Sequence, residues 1–113
     1  MLTYALIIFA IAAVGGLLLA ASVLRGKLAP WALSIVHALL GATGLVLLVL
    51  SVLKGAASGR ATIALCVLLV AALGGFFLAS IHLRGQIAPK AVVIIHAGVA
   101  VTGFLTLLSA VLL

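Results

Sequence analysis

The stretch from Gly15 to Gly44 recurs from Gly74 to Gly103 at a constant offset of 59 residues. Gly15-Gly16 meets Gly74-Gly75, Arg25-Gly26 meets Arg84-Gly85, Pro30 meets Pro89, His37 meets His96, and Thr43-Gly44 meets Thr102-Gly103. About half of the positions in the stretch are identical, which marks an internal duplication and not a chance match of apolar residues. Any fold open to this chain is therefore built from two like halves, here residues 1–54 and 60–113, and the paired histidines are the chemistry present in both.

Each half supplies two apolar runs. A bilayer core of ~30 Å needs about 20 apolar residues at ~1.5 Å rise each, and the segments 3–24, 30–53, 61–83 and 89–112 all reach that length. With 69% hydrophobic and 5% charged residues, the chain cannot present a water-soluble surface. The reading is an all-α membrane protein: one transmembrane domain, a four-helix bundle made of two tandem, parallel-oriented helical hairpins. Arg25-Gly26 and Arg84-Gly85 end the first and third segments. Pro30 and Pro89 open the second and fourth, where a missing N–H costs nothing. Ser58 or Thr62 is placed to cap the third helix.

Two spans per repeat give both repeats the same orientation, related by a pseudo-twofold axis along the membrane normal. Both Arg-Gly turns then lie on one side with Arg25, Lys27, Arg84 and Lys90, against Lys54 and Arg60 on the other. The positive-inside rule puts the turns in the cytoplasm, as in a bacterial inner membrane. The basic residues sit at the breaks between apolar runs, where lipid headgroups are, and no face carries a basic patch with interleaved aromatics, so nucleic acid is not a partner. Cys66, alone in an apolar run, reads as an inert buried thiol. The uncharged start Met1-Leu2-Thr3-Tyr4 reads as part of a retained first helix.

His37 and His96 each follow their proline by seven residues, which sets them ~10 Å below the turns. Gly15-Gly16 and Gly74-Gly75 come to that depth on the antiparallel partner helices. Gly41 and Gly44 follow along the His37 face, and Ala100 and Gly103 along the His96 face. An ionisable side chain at such depth is a functional candidate, weighed against glycines that serve only helix packing and a histidine that only hydrogen-bonds to Ser34 or a carbonyl. In a sequential bundle the second and fourth helices are diagonal, and neighbours ~8–10 Å apart give a diagonal of roughly 11–14 Å. That gap suits two imidazoles with an iron between them. A macrocycle there extends toward the first and third helices, where Gly15, Gly16, Gly74 and Gly75 remove colliding side chains. Without Cys-x-x-Cys-His such a haem is held by coordination alone, as haem b.

In His37, His96 and the glycine pairs the chain resembles the small membrane b-type cytochromes, whose four-helix bundles hold haem between histidines of different helices. The resemblance implies electron transfer through one bis-histidine haem b, exchanging electrons with quinone or a partner subunit; Ser34, Thr43 and Thr102 have no acid or base arranged around them, so no catalytic activity of the chain's own is expected. A cytochrome that conducts right across a bilayer usually has four histidines and two stacked haems, and this chain has three histidines. His82 aligns with Val23 and reads as a wetted interfacial residue near the end of the third helix, or alternatively as one reaching the haem edge. Arg25 and Arg84 have no internal carboxylate and take lipid phosphates, another subunit or haem propionates as partners. The same lack of Asp and Glu excludes a small proton-coupled multidrug exporter, which needs a membrane-embedded carboxylate. Two alternatives stay open: a pigment-binding or scaffolding subunit of a larger membrane complex, each histidine ligating its own chlorophyll-type magnesium, and a haem-free structural protein. Ser34, Thr43 and Thr102 read as bonded to carbonyls one turn back, and Trp31 and Tyr4 as interfacial anchors.

Overall fold

The computed structural model describes residues 1–55 and 57–113. It contains four α-helices: α1 (Leu2–Leu24), α2 (Trp31–Leu53), α3 (Gly59–Leu83) and α4 (Lys90–Leu112). All four are long and apolar enough to cross a membrane, and the described residues contain no strand. The segmentation agrees with the apolar runs to within two residues. Pro30 and Pro89 stand one place outside their helices as N-caps, with extended ψ of 131° and 136°. The carbonyl of Pro30 still accepts the first helical bond, from the Ser34 N–H at 3.0 Å.

The turns explain themselves locally. After α1 the chain passes through Gly26 at φ +76°, where the Gly26 N–H donates to Val23 O (2.9 Å) and the Lys27 N–H to Ser22 O (3.0 Å). After α3, Gly85 at φ +69° repeats the arrangement, with the Gly85 N–H donating to His82 O and the Gln86 N–H to Ile81 O. These are Schellman closures, in which a left-handed residue lets the chain satisfy two terminal carbonyls. A side chain at either position would be strained, which is why each Arg is followed by Gly. Ser58 caps α3, its Oγ accepting from the Ala61 N–H at 3.2 Å.

The helices run up and down in sequence. α1 packs against α2 and α4, and α3 against α4 and α2, leaving α1/α3 and α2/α4 as the diagonals. Contact is densest within each hairpin, thinner between α1 and α4, and thinnest between α2 and α3. Both Arg-Gly turns fall at one end, with the α2–α3 connection at the other. The principal core lies at that other end: Ala5 and Phe9 of α1, Leu48 of α2, Ala61, Ala64, Leu65 and Leu68 of α3, and Leu107 of α4. It follows the duplication, since Ala5 and Ala64, Phe9 and Leu68, and Leu48 and Leu107 are repeat partners. The outward faces carry large apolar side chains such as Ile7, Val14, Leu39, Val70, Leu73 and Leu105, as a surface solvated by lipid does. Cys66 lies among them, exposed and not buried as its apolar surroundings in sequence had implied.

Candidate functional site: a histidine pair facing across the bundle

Between the core and the turns, His37 of α2 and His96 of α4 reach across the diagonal toward each other. Their ring centres are 6.5 Å apart and their planes nearly perpendicular, at 88°. Each ring is held the same way. The Nδ1–H of His37 donates to Ala12 O of α1 at 2.8 Å, and that of His96 to Ala71 O of α3 at 2.8 Å. A carbonyl can only accept, so both protons lie on Nδ1 and both Nε2 atoms carry a lone pair. Two imidazoles with fixed orientation and a free basic nitrogen are the arrangement that metal-ligating histidines adopt when a backbone carbonyl orients them.

The glycine pairs explain how an imidazole gets that close to a helix backbone. Ala12 O and Ala71 O already serve their own helices, accepting from the residues four places on, Gly16 and Gly75. A side chain there would stand over the carbonyl. A Cβ on Gly16 would come to 2.9 Å from Cε1 of His37, and one on Gly75 to 3.3 Å from Cε1 of His96. Gly15 and Gly74 flank the same rings at ordinary contact distances. Gly16 and Gly75 therefore make room for the imidazoles themselves. The ring beside Gly16 and Gly75 is the histidine of the neighbouring helix.

The remaining candidates separate. Gly44 and Gly103 are one layer deeper, where a Cβ would strike Phe9 (2.8 Å) and Leu68 (2.7 Å), so they serve close packing of the core. Gly41 has nothing within 4 Å of a Cβ and lines no part of the histidine pair. Arg25 and Arg84 are exposed at the turn end, each folded back so that Nε donates to a carbonyl of its own helix, Ala21 O at 3.1 Å and Ser80 O at 3.3 Å. Neither joins the histidine layer. Thr43 and Thr102 donate to Leu39 O and Gly98 O, one turn back, as expected. A groove of about 370 Å³ between α1 and α2, walled by Ile11, Val14, Leu18, Leu33, Val36 and Leu40, leads from the outer face to Gly15 and His37.

His82 is where sequence reasoning missed. It is 8% exposed and so not wetted. Its ring stacks on Trp31 of α2 with centres 3.7 Å apart and planes 11° from parallel. Its Nδ1 lies 3.2 Å from Ser34 Oγ, while its Nε2 is buried with no partner among the described residues. Ser34 thus bonds across helices and not one turn back, and Trp31 is a stacking partner as well as a half-exposed side chain at the helix start. The signal was present in the repeat: Trp31, Ser34 and His82 align with Lys90, Val93 and Val23, and these three departures from the duplication meet in one place.

No protein-family model, curated protein or solved structure matches this chain, so what the site does rests on its own geometry. That geometry defines an integral membrane four-helix bundle with a symmetric, carbonyl-anchored histidine pair inside it.

Proposed function

We propose that the protein is a membrane haem b protein for electron transfer, with His37 and His96 as the axial ligands of one iron. The observation that carries this reading is the pair of rings 6.5 Å apart, each with its proton held on Nδ1 by a carbonyl and its Nε2 left basic. A metal–imidazole bond is about 2 Å long, so two imidazoles sharing one ion have ring centres roughly 6–6.5 Å apart. A bare structural ion wants about four protein ligands, and no group of three or more His, Cys, Asp or Glu exists among the described residues. Two nitrogens suffice only for a metal that brings its own equatorial ligands, which a porphyrin does. Bound there, the group supplies one-electron reduction and oxidation of its iron. The chain's own residues would hold it: two half-buried imidazoles fixed by Ala12 and Ala71. The same spacing disfavours one chlorophyll on each histidine, since two macrocycles and two metals need a wider gap.

The pair lies ~10 Å from the Arg-Gly turns and roughly twice that from the other interface of a ~30 Å core. The reading therefore includes exchange of electrons on the turn side, with quinone or a partner subunit, and orientation of that side to the cytoplasm of a bacterial inner membrane under the positive-inside rule.

An absorption spectrum of the purified protein tests it. A sharp reduced Soret band with α and β bands is the expected result, and His37→Ala or His96→Ala should abolish haem or leave a five-coordinate, high-spin site. A colourless protein, or an unchanged six-coordinate low-spin spectrum in His37→Ala, would overturn the assignment; long-wavelength bands would indicate a chlorophyll instead.

A further inference from the structure

The interface between α2 and α3 carries Trp31, Ser34 and His82, and its repeat equivalent between α4 and α1 carries Lys90, Val93 and Val23 in their places. The second interface is an internal control for what the fold needs, and it packs more closely without a buried polar group. The hairpins are thus joined at one of their two interfaces without such a cluster. The cluster has a cost, because a buried polar atom without a partner gives up its hydrogen bond to water and regains none. Among the described residues Ser34 Oγ has Nδ1 of His82 as its one acceptor, so the hydroxyl donates there and the ring proton sits on Nε2. The orphan is a hydrogen-bond donor.

What could accept from it is limited by the chain. There is no Asp or Glu in the sequence, and no carbonyl or other acceptor lies within hydrogen-bonding distance of His82 Nε2 among the described residues. A bound molecule can supply the acceptor. Its position follows from helix geometry: His82 lies two turns beyond Gly75 on the same face of α3, ~10 Å along the axis, and Gly75 abuts the His96 ring. A planar group held between His37 and His96 and standing along the bundle axis would extend toward the level of His82. A haem with its propionate arms reaches about that far from its iron.

Resting on the haem reading, we infer that His82 donates a hydrogen bond from Nε2 to a haem propionate, so that the carboxylate edge of the ring points toward the Arg-Gly turns. Trp31 clamps the imidazole by stacking and Ser34 sets its tautomer. The exposed Arg25 and Arg84 are not needed for this contact. Since Val23 stands opposite, the α3 side alone makes it, and the pseudo-twofold site becomes one with a polar flank and an apolar flank.

The test uses the full chain in detergent micelles, stripped of haem and titrated with ferric haem b and with its dimethyl ester, in which both carboxylates are blocked. Wild type, His82→Leu and His82→Gln should all give six-coordinate low-spin spectra, since none touches the axial ligands. For the free acid, His82→Leu should weaken binding roughly tenfold to hundredfold, the range for a hydrogen bond to a charged group. Gln, which keeps a donor, should fall between. For the ester, whose carbonyls accept only a weaker, neutral hydrogen bond, the loss in His82→Leu should be clearly smaller than for the free acid. Equal affinity of wild type and His82→Leu for the free acid, or an equal loss with acid and ester, overturns this contact while leaving the axial assignment standing. If His82→Leu does not fold, the Gln variant and the wild-type comparison of acid with ester decide, and equal wild-type affinities overturn the contact. Failure of wild type to bind either form overturns the haem reading and this inference with it.

Discussion

The two ends of the bundle are built from the same repeat and do different things with it. At the end away from the Arg-Gly turns, Phe9 fills the space over Gly44, Leu68 fills the space over Gly103, and Leu48 and Leu107 are fully buried. Glycine there lets a neighbouring apolar side chain in. Toward the turns, Gly16 and Gly75 admit an imidazole, and what they expose is a backbone carbonyl. In lipid, apolar burial gives helices little reason to associate, so packing and interhelical hydrogen bonds must do it. One end uses mainly the first of these and the histidine layer the second. The difference teaches that small residues in membrane helices have no single meaning; what occupies the space beside them decides their role.

That contrast can be broken at either end. Leu48→Ala and Leu107→Ala should have the largest effect, at least about 2 kcal/mol each, because a cavity forms where both side chains are fully buried. Denaturant titration of the micellar protein measures this, and histidine-dependent haem binding should survive in whatever fraction stays folded. Gly16→Ala should come next. It presses on the His37 ring at 2.9 Å, and the overpacking should cost of the order of 1–3 kcal/mol, read as lost haem affinity. Gly75→Ala, at 3.3 Å, should cost less; a reversed order would show that the imidazoles and not the glycines set the spacing. Ser58→Ala removes the one side-chain helix cap among the four helices and should lower stability by about 1 kcal/mol, with the haem spectrum unchanged. Smallest is Gly41→Ala, where a Cβ meets nothing. Helix propensity alone should leave stability unchanged or raise it by up to about 1 kcal/mol, and loss of haem affinity in this variant would mean that the bound ring reaches further than the histidine pair.

Much of this was legible in the residues. Four apolar runs of membrane-spanning length, two Arg-Gly closures and the offset of 59 residues lead to the observed bundle with helix ends misplaced by no more than two residues. The matched depth of His37, His96 and the glycine pairs was legible too, since depth along a helix is counted in residues. Direction around the helix was not. Gly41 and Gly44 share a face with His37 by periodicity, yet the backbone crossing leaves one open and fills the other with Phe9. His82 failed for another reason: a histidine near a helix end reads as solvated unless the neighbouring helix is known, and the neighbour that buries it begins with Trp31 and Ser34. A chain in which every helix is apolar all round gives little indication of which side faces which partner.

The duplicated anchoring of the histidines, each to the carbonyl 25 positions earlier in its own hairpin, bears on ancestry. Every contact that orients an imidazole is made inside one hairpin, and only the meeting of the two rings spans both. A single hairpin pairing with a second copy of itself would present the same two nitrogens to one another by symmetry alone. In such a homodimer any third histidine would necessarily appear twice, one on each flank. Joining the copies in one polypeptide removes that obligation, and the solitary His82 with Trp31 and Ser34 is a difference that a homodimer of one hairpin could not hold.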